Sequence, residues 1–164
     1  MRLIISTLLF FTLSGCAAFF NPVPENYTGP IATILDSGFA ENTFKAQFFV
    51  LTASDGNLVD NSIRASRQAS FGQGLVLTPK FLSRKIPAKA MKIRLTGTHM
   101  TGAPIHGIFS KASGEFFSVE GDIGFTRVEG ESYIIKGELK KESSSVWIEN
   151  TKSNLSVTER IISK

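Results

Sequence analysis

Two histidines, His99 and His106 in the stretch THMTGAPIHG, are the residues best suited to proton transfer or metal binding. An imidazole exchanges protons near neutral pH and binds metals through a ring nitrogen. A zinc site needs further Cys, His or carboxylate ligands close by, and residues 61–114 contain no carboxylate. Because Gly102 and Pro104 are typical of a connection between strands, we interpret both histidines as loop residues. The alternative is a small hydrolase or ligand-binding β-barrel that uses His99 or His106.

Other catalytic motifs are incomplete. The serine elbow GxSxG does not occur, since KASGEF around Ser113 lacks the first glycine. The stretch FGQGLV (71–76) lacks the third glycine of a dinucleotide loop and the lysine of a P-loop, which favours a glycine-containing turn. Acidic pairs such as Glu120 and Asp122 fit solvated carboxylates on the outward face of a strand. The sequence therefore predicts no catalytic residue, no metal site and no cofactor.

A basic stretch, TPKFLSRKIPAKAMKIRL (78–95), contains no acidic residue. Its cations are Lys80, Arg84, Lys85, Lys89, Lys92 and Arg94. Near an anionic membrane surface, each such cation contributes about 1 kcal/mol to binding. One interpretation is therefore contact with anionic lipid headgroups or with a partner protein of the envelope. The other interpretation is a solvated loop and strand face.

Trp147, in SSVWIEN, is the only tryptophan in the chain. If Val146 and Ile148 point inward on a strand, Trp147 points to the opposite face. It then marks a membrane or partner contact, or it covers the second sheet of the sandwich.

The first twenty residues, MRLIISTLLFFTLSGCAAFF, have the order of a secretory signal peptide. Arg2 precedes an apolar run (3–13), and small residues follow. The run is shorter than the roughly 20 residues that cross a bilayer as a helix. Within these twenty residues, LSGC (13–16) resembles the lipobox of bacterial lipoproteins, with an ordinary signal peptide and a chance cysteine as the alternative.

The lipobox resemblance implies a specific processing of the chain. Residues 1–15 are removed, Cys16 carries a diacylglycerol, and the new amino terminus is acylated. Two or more acyl chains give stable anchoring, whereas one gives only marginal binding. Residues 16–29, with Pro22 and Pro24, form the lipidated N-terminus and a tether. Because no aspartate follows the cysteine, the resemblance favours the periplasmic face of the outer membrane over the inner membrane.

Composition limits the remaining possibilities. The chain has 164 residues, a formal net charge of +4 and one cysteine, which indicates one domain without an internal disulfide. The mild positive charge is not the clustered basic character of a nucleic-acid-binding protein. We therefore expect no nucleic acid among its partners.

The rest of the chain is predicted to form strands. MKIRLTG alternates, with Met91, Ile93 and Leu95 on one face, and EFFSVEGDIGF (115–125) repeats this pattern. The Asp-Gly pair in SDGN (54–57) predicts a hairpin.

These runs, spaced about ten residues apart, predict an all-β fold for residues 30–164. An antiparallel β-sandwich of about 7–9 strands is favoured, with a small barrel as the alternative. The stretch DNSIRASRQAS (60–70) is interpreted as a short helix.

The stretch GDIGFTRVEGESYIIKGEL followed by VWIEN resembles the end of small bacterial lipoprotein domains of uncharacterised function, whose fold is an immunoglobulin-like β-sandwich. The resemblance implies that fold and transfers no catalytic residue. Together with the lipobox, it leads to the expectation of a lipid-anchored envelope protein that acts as a binding or structural module without catalysis.

Overall fold

The computed structural model describes residues 19–163, so the predicted signal peptide (1–15) and Cys16 lie outside the described residues. Within residues 19–163 the chain forms ten β-strands and two α-helices. The strands are β1 (Ile31–Leu35), β2 (Ser37–Asn42), β3 (Lys45–Ser54), β4 (Asn57–Leu58), β5 (Ser83–Pro87), β6 (Met91–Thr101), β7 (Ser118–Phe125), β8 (Ser132–Glu138), β9 (Ser145–Asn150) and β10 (Ile161–Ile162). The helices are α1 (Ser62–Ser70) and α2 (Pro104–Ala112).

The strands build two sheets that pack face to face. The first sheet has the order β10-β9-β8-β1-β5, and the second has the order β2-β3-β6-β7 with β4 paired to β3. The predicted β-sandwich is therefore confirmed, and the described strands do not close into the barrel named as the alternative. One strand pair departs from the antiparallel expectation, because β1 runs parallel to β8, with Thr33 opposite Ser132.

The core between the sheets follows from alternation along the strands. In β6 the side chains of Met91, Ile93 and Leu95 are buried, whereas Lys92 and Arg94 are exposed, as the pattern predicts. Removing apolar side chains from water in this way supplies the main driving force for folding. The hairpin between β3 and β4 is also confirmed. It turns at Asp55 and Gly56, which have φ of 47° and 82°, as a two-residue hairpin turn requires.

The chain changes sheet at a single residue, Asp36, between β1 and β2. The Asp36 amide donates to the carbonyl oxygen of Leu82 at 2.9 Å. On the next residue, the Ser37 hydroxyl of the second sheet donates to the carbonyl oxygen of Ile135 in the first. The two sheets are thus tied together by hydrogen bonds at this corner.

Helix α1 covers the outer face of the second sheet. Its Ile63 packs on a second apolar cluster, formed by Ala46, Phe48, Val50, Leu77 and Met100. The Asn61 side chain caps the helix by accepting hydrogen bonds from the amides of Ile63 and Arg64, as N-cap residues do. The short helix predicted over 60–70 is therefore present.

A row of serines fastens α1 to the segment that follows it. Ser62, Ser66 and Ser70 recur every four residues and are buried, because this spacing places them on one helix face. Their hydroxyls accept hydrogen bonds from backbone amides of the segment 78–82 at 2.8–2.9 Å.

Helix α2 is a correction to the sequence interpretation, which placed Pro104 and His106 in a loop, whereas Gly102 does lie in the connection between β6 and α2. Pro104 stands in the first turn of α2, where its missing amide donor costs nothing and its fixed φ suits a helix. Each helix contains nine residues, and neither is long and apolar enough to pass through a membrane.

The amino-terminal segment meets the domain early. Phe20 forms a parallel bridge with Val59, and its amide donates to the carbonyl oxygen of Leu58 at 2.8 Å. The predicted tether (16–29) thus already contacts the domain at Phe20.

Candidate functional site

An open groove of about 770 Å³ lies between the two helices. We call it the α1–α2 groove. It is lined by the end of α1, the turn that follows, the end of β6 and one side of α2. Arg67 and Lys111 are the charged residues in this lining, and no carboxylate of the described residues joins them.

Helix α2 presents an apolar stripe to solvent beside this groove. Ile105, Ile108, Phe109 and Ala112 are spaced three and four residues apart, so they share one helix face. All four are exposed, with Ile108 at 65% and Phe109 at 66%. No residue of α2 is buried. The apolar face of α2, which would normally pack on a core, is therefore exposed to solvent.

The opposite side of α2 holds it to the domain. The His106 ring meets the Phe44 ring edge-on, with centroids 5.6 Å apart. A Cβ atom at Gly107 would lie 3.2 Å from the Thr101 hydroxyl oxygen, a tight contact that shows how close the helix backbone comes to β6. The helix is thus seated with its apolar stripe outward.

Phe71 faces α2 across the groove. It is 91% exposed and stands directly after α1, in a turn where Gly72 and Gly74 have positive φ. The turn interpretation of FGQGLV is therefore confirmed. Monomeric proteins rarely gather several exposed large apolar residues without a binding role.

His99 does not lie in a loop as the sequence interpretation had it; it is a buried residue of β6. Its Nε2 lies 2.9 Å from Glu41 Oε1. Its Nδ1 accepts a hydrogen bond from the Phe117 amide at 3.1 Å. The neutral tautomer with the proton on Nε2 fits both contacts, so both ring nitrogens are used in holding strands together. Extending the β6 alternation beyond Leu95 would have placed His99 on the inward face.

The carboxylate beside His99 is held in its ionised form. Burial of Glu41 opposes ionisation, but hydrogen bonds from Gln47 and Lys45 and the charge of Lys45 outweigh it, so the pKa of Glu41 is lowered. The Gln47 amide donates to this carboxylate at 2.6 Å, and Lys45 Nζ lies 3.2 Å from it. The sequence offered no signal for Glu41, because its partners come from other strands.

The basic stretch does not form one patch. Arg84, on β5, points to the buried Asp36 with 2.6 Å between Nη2 and Oδ2. Arg94 and Lys92 are on β6, in the other sheet, and both pair with Asp122. The hydrogen bonds from Arg94 and Lys92 lower the pKa of Asp122 to about 2.

The other cations of that stretch, Lys80, Lys85 and Lys89, are exposed and form no ion pair within residues 19–163. Three of the six cations are therefore in ion pairs, and only Arg84 among these is largely buried.

Asp36 has a fully buried side chain that the sequence pattern did not single out. Besides Arg84, it accepts hydrogen bonds from the Leu51 amide at 3.1 Å and from the Ser62 amide and hydroxyl at 2.9 and 2.8 Å. Buried carboxylates are tolerated only when paired and hydrogen-bonded in this way. The cluster joins α1, β3 and β5 at the corner between the sheets.

Trp147 points away from the core that contains Val146 and Ile148, as the alternation predicts. It is nevertheless only 7% exposed. The Arg160 guanidinium lies 3.9 Å from the centre of its ring, and the indole N–H donates to Glu149 at 2.8 Å. A cation over an indole face is a favourable contact, so the ring is covered by the chain itself.

Arg127 is buried with an incomplete set of partners. Its Nη2 donates to the Lys89 carbonyl oxygen at 2.7 Å, whereas Nε and Nη1 have no partner among the described residues. Burial lowers the pKa of this guanidinium.

No group of three His, Cys, Asp or Glu side chains in the described part of the chain is placed to hold a metal ion. Comparison with protein-family models, with curated proteins and with solved structures gives no match for this chain.

Proposed function

We propose that this protein is a lipid-anchored envelope module at the periplasmic face of a bacterial outer membrane, and that it acts by binding rather than by catalysis. Cys16 is the lipidated residue, and the α1–α2 groove with the apolar stripe of α2 is the binding surface. The observation that carries the binding role is the outward stripe of Ile105, Ile108 and Phe109.

The exposed stripe supports binding because its exposure has no structural benefit for the isolated domain. Fully burying a side chain of this kind contributes about 1.5–3 kcal/mol. The stripe on α2 forgoes that contribution at Ile105, Ile108 and Phe109. A surface that covers them recovers it, which gives this face an affinity for an apolar or amphiphilic partner.

The state of His99 supports binding over the hydrolase alternative. A general base must present a ring nitrogen to the nucleophile whose proton it takes. Nε2 of His99 faces Glu41, and Nδ1 accepts from the backbone of Phe117. His106 lies on α2 with its ring against Phe44. Glu41 is an acid beside His99, but within residues 19–163 no serine hydroxyl is hydrogen-bonded to either histidine, as a triad requires.

The anchor is tested by metabolic labelling with a tagged fatty acid, comparing the native chain with Cys16→Ser. We expect label on the native protein in the outer-membrane fraction and none on the variant. An unlabelled native chain contradicts the anchored function.

The binding surface is tested in cells with a photo-crosslinking amino acid at Ile108. The matched control position is Leu155, which is 67% exposed against 65% for Ile108 but lies on the connection between β9 and β10. We expect crosslinks to lipid or protein from position 108 and none from position 155. Equal crosslinking from both positions contradicts a binding role for the groove.

A further inference from the structure

We propose that the occupant of this face is the anionic bilayer surface itself, so that the protein touches its membrane twice, through the lipid on Cys16 and through α2. This inference rests on the proposed function. We define the docking face as Phe71, Ile105, Ile108 and Phe109 with the cations Arg67 and Lys111.

The path of the chain places the anchor beside this face. Cys16 stands three residues before Phe19, a span of at most roughly 10 Å in an extended chain. The guanidinium carbon of Arg64 in α1 lies 4.5 Å from the centroid of the Phe19 ring. A lipid on Cys16 is therefore held close to the start of α1.

The outward side of α1 leads from that point to the groove. Arg64, Arg67 and Phe71 are spaced three and four residues apart, so they follow one side of the helix. With a rise of about 1.5 Å per residue, Arg64 and Phe71 are about 10 Å apart along the axis. A bilayer that holds the anchor near Phe19 therefore meets Phe71 about 10 Å further along this side of α1, and Phe71 lines the same groove as α2.

The chemistry of the docking face suits an interface between headgroups and acyl chains. Short amphipathic helices lie in that interface with their apolar face buried and their cations at the headgroups. Lys111 is next to the stripe, and Arg67 lies across the groove. Neither forms an ion pair within residues 19–163, whereas Arg64 is paired with Asp60 at 3.1 Å.

The charge of the docking face distinguishes an anionic bilayer from a second copy of this chain as its occupant. Each cation close to an anionic surface raises membrane binding about fivefold. A second copy of the chain would bring the same cations, Arg67 and Lys111, against themselves, since no carboxylate of the described residues lines the groove. The docking face is therefore complementary to anionic headgroups and not to itself.

The test uses residues 16–164 with Cys16→Ser, secreted without lipid, so that binding through the acyl chains is removed. Flotation is measured with vesicles of phosphatidylcholine alone and of phosphatidylcholine mixed with phosphatidylglycerol. We expect binding to the mixed vesicles. The double variant Ile108→Ser/Phe109→Ser is expected to lower the partition coefficient about a hundredfold. The control Leu155→Ser, at a matched exposure, is expected to leave it unchanged.

A second pair of variants separates the docking face from the basic stretch. Arg67→Gln/Lys111→Gln is expected to lower binding to the mixed vesicles about 25-fold and to leave the weak binding to neutral vesicles unchanged. Lys85→Gln/Lys89→Gln is the control, because these residues are also exposed but lie on and after β5. Circular dichroism of each variant checks that it is folded, and Phe71→Ser repeats the apolar test outside α2.

Three results would overturn the membrane contact. The first is flotation that the Ile108→Ser/Phe109→Ser change does not alter. The second is a loss of binding only in Lys85→Gln/Lys89→Gln. The third is a dimer in sedimentation without vesicles that Ile108→Ser/Phe109→Ser abolishes. If vesicles are not bound but position 108 crosslinks to a protein, this inference fails and the proposed function stands. If Cys16 carries no fatty-acid label, the proposed function fails, whereas the flotation assay still tests whether the docking face binds vesicles.

Discussion

Replacing Arg84 with methionine is expected to destabilise the fold by about 3 kcal/mol, since removing one partner of a buried ion pair costs about 3–5 kcal/mol. Asp36, its partner at 2.6 Å, has a fully buried side chain. The change leaves this carboxylate with the hydrogen bonds from Leu51 and Ser62. Because these donors still stabilise the charge, we place the cost at the lower end. Methionine keeps most of the apolar contact of the arginine stem.

The loss is measured by urea unfolding, followed by the fluorescence of Trp147, the only tryptophan in the chain. A domain of this size has a slope of about 2 kcal/mol per M of urea. A loss of about 3 kcal/mol therefore lowers the midpoint by about 1.5 M. The neighbouring Lys85 is exposed, and Lys85→Met is expected to change stability by less than about 0.5 kcal/mol.

The reasoning is refuted if the midpoints of Arg84→Met and Lys85→Met agree within about 0.2 M. That result would mean that Asp36 does not depend on the guanidinium. The double variant Asp36→Asn/Arg84→Met provides a check on the pair itself. Its cost should be smaller than the sum of the two single costs, because both changes remove the same interaction.

Three further changes test other parts of the fold. Arg94 holds the pKa of Asp122 at about 2, against an ordinary 3.8, so the ionised carboxylate contributes stability above about pH 4 that is lost toward pH 2. When the pH is lowered from about 4 to about 2, the urea midpoint of Asp122→Asn should therefore fall less than the urea midpoint of the native protein. Gly137→Ala is expected to cost about 1–3 kcal/mol in urea unfolding, because its Cβ would clash with the Phe49 ring; an unchanged midpoint would contradict this packing. Arg127→Met is expected to leave the free energy of unfolding, measured by thermal denaturation, unchanged or to raise it by about 1 kcal/mol. The reason is that the change removes a buried charge with two unpartnered nitrogens. A loss of more than about 2 kcal/mol would show that the hydrogen bond to the Lys89 carbonyl oxygen outweighs the cost of burying the charge.

Local patterns were sufficient for most of the secondary structure. The alternation through Met91, Ile93 and Leu95 depends only on which face of a strand meets the core, and it is confirmed. The turn at Asp55 and Gly56 depends on two adjacent residues that accept positive φ. Such signals are readable because neighbours in sequence decide them.

Pairings between distant residues were not readable in the same way. Helix α2 contains Pro104 and Gly107, which lower its helix propensity. Its apolar side chains face solvent, so they do not follow the pattern of a helix that packs on a core. The burial of Asp36 and His99 depends on Arg84 and Glu41, which the fold brings from other strands. The groove likewise exists only because the fold places α1 and α2 on either side of the end of β6.

The parallel pair of β1 and β8 has a consequence for the kinetics of folding. Thr33 lies opposite Ser132, and β1 is flanked by β5 on its other side, so the middle of the first sheet joins segments far apart in sequence. Closing a long loop costs chain entropy before the new contacts repay it. Folds dominated by such pairings form in milliseconds to seconds rather than microseconds. We therefore expect the second sheet, whose strands β2 and β3 are adjacent hairpin partners, to form first, and the strand β1 to be enclosed late.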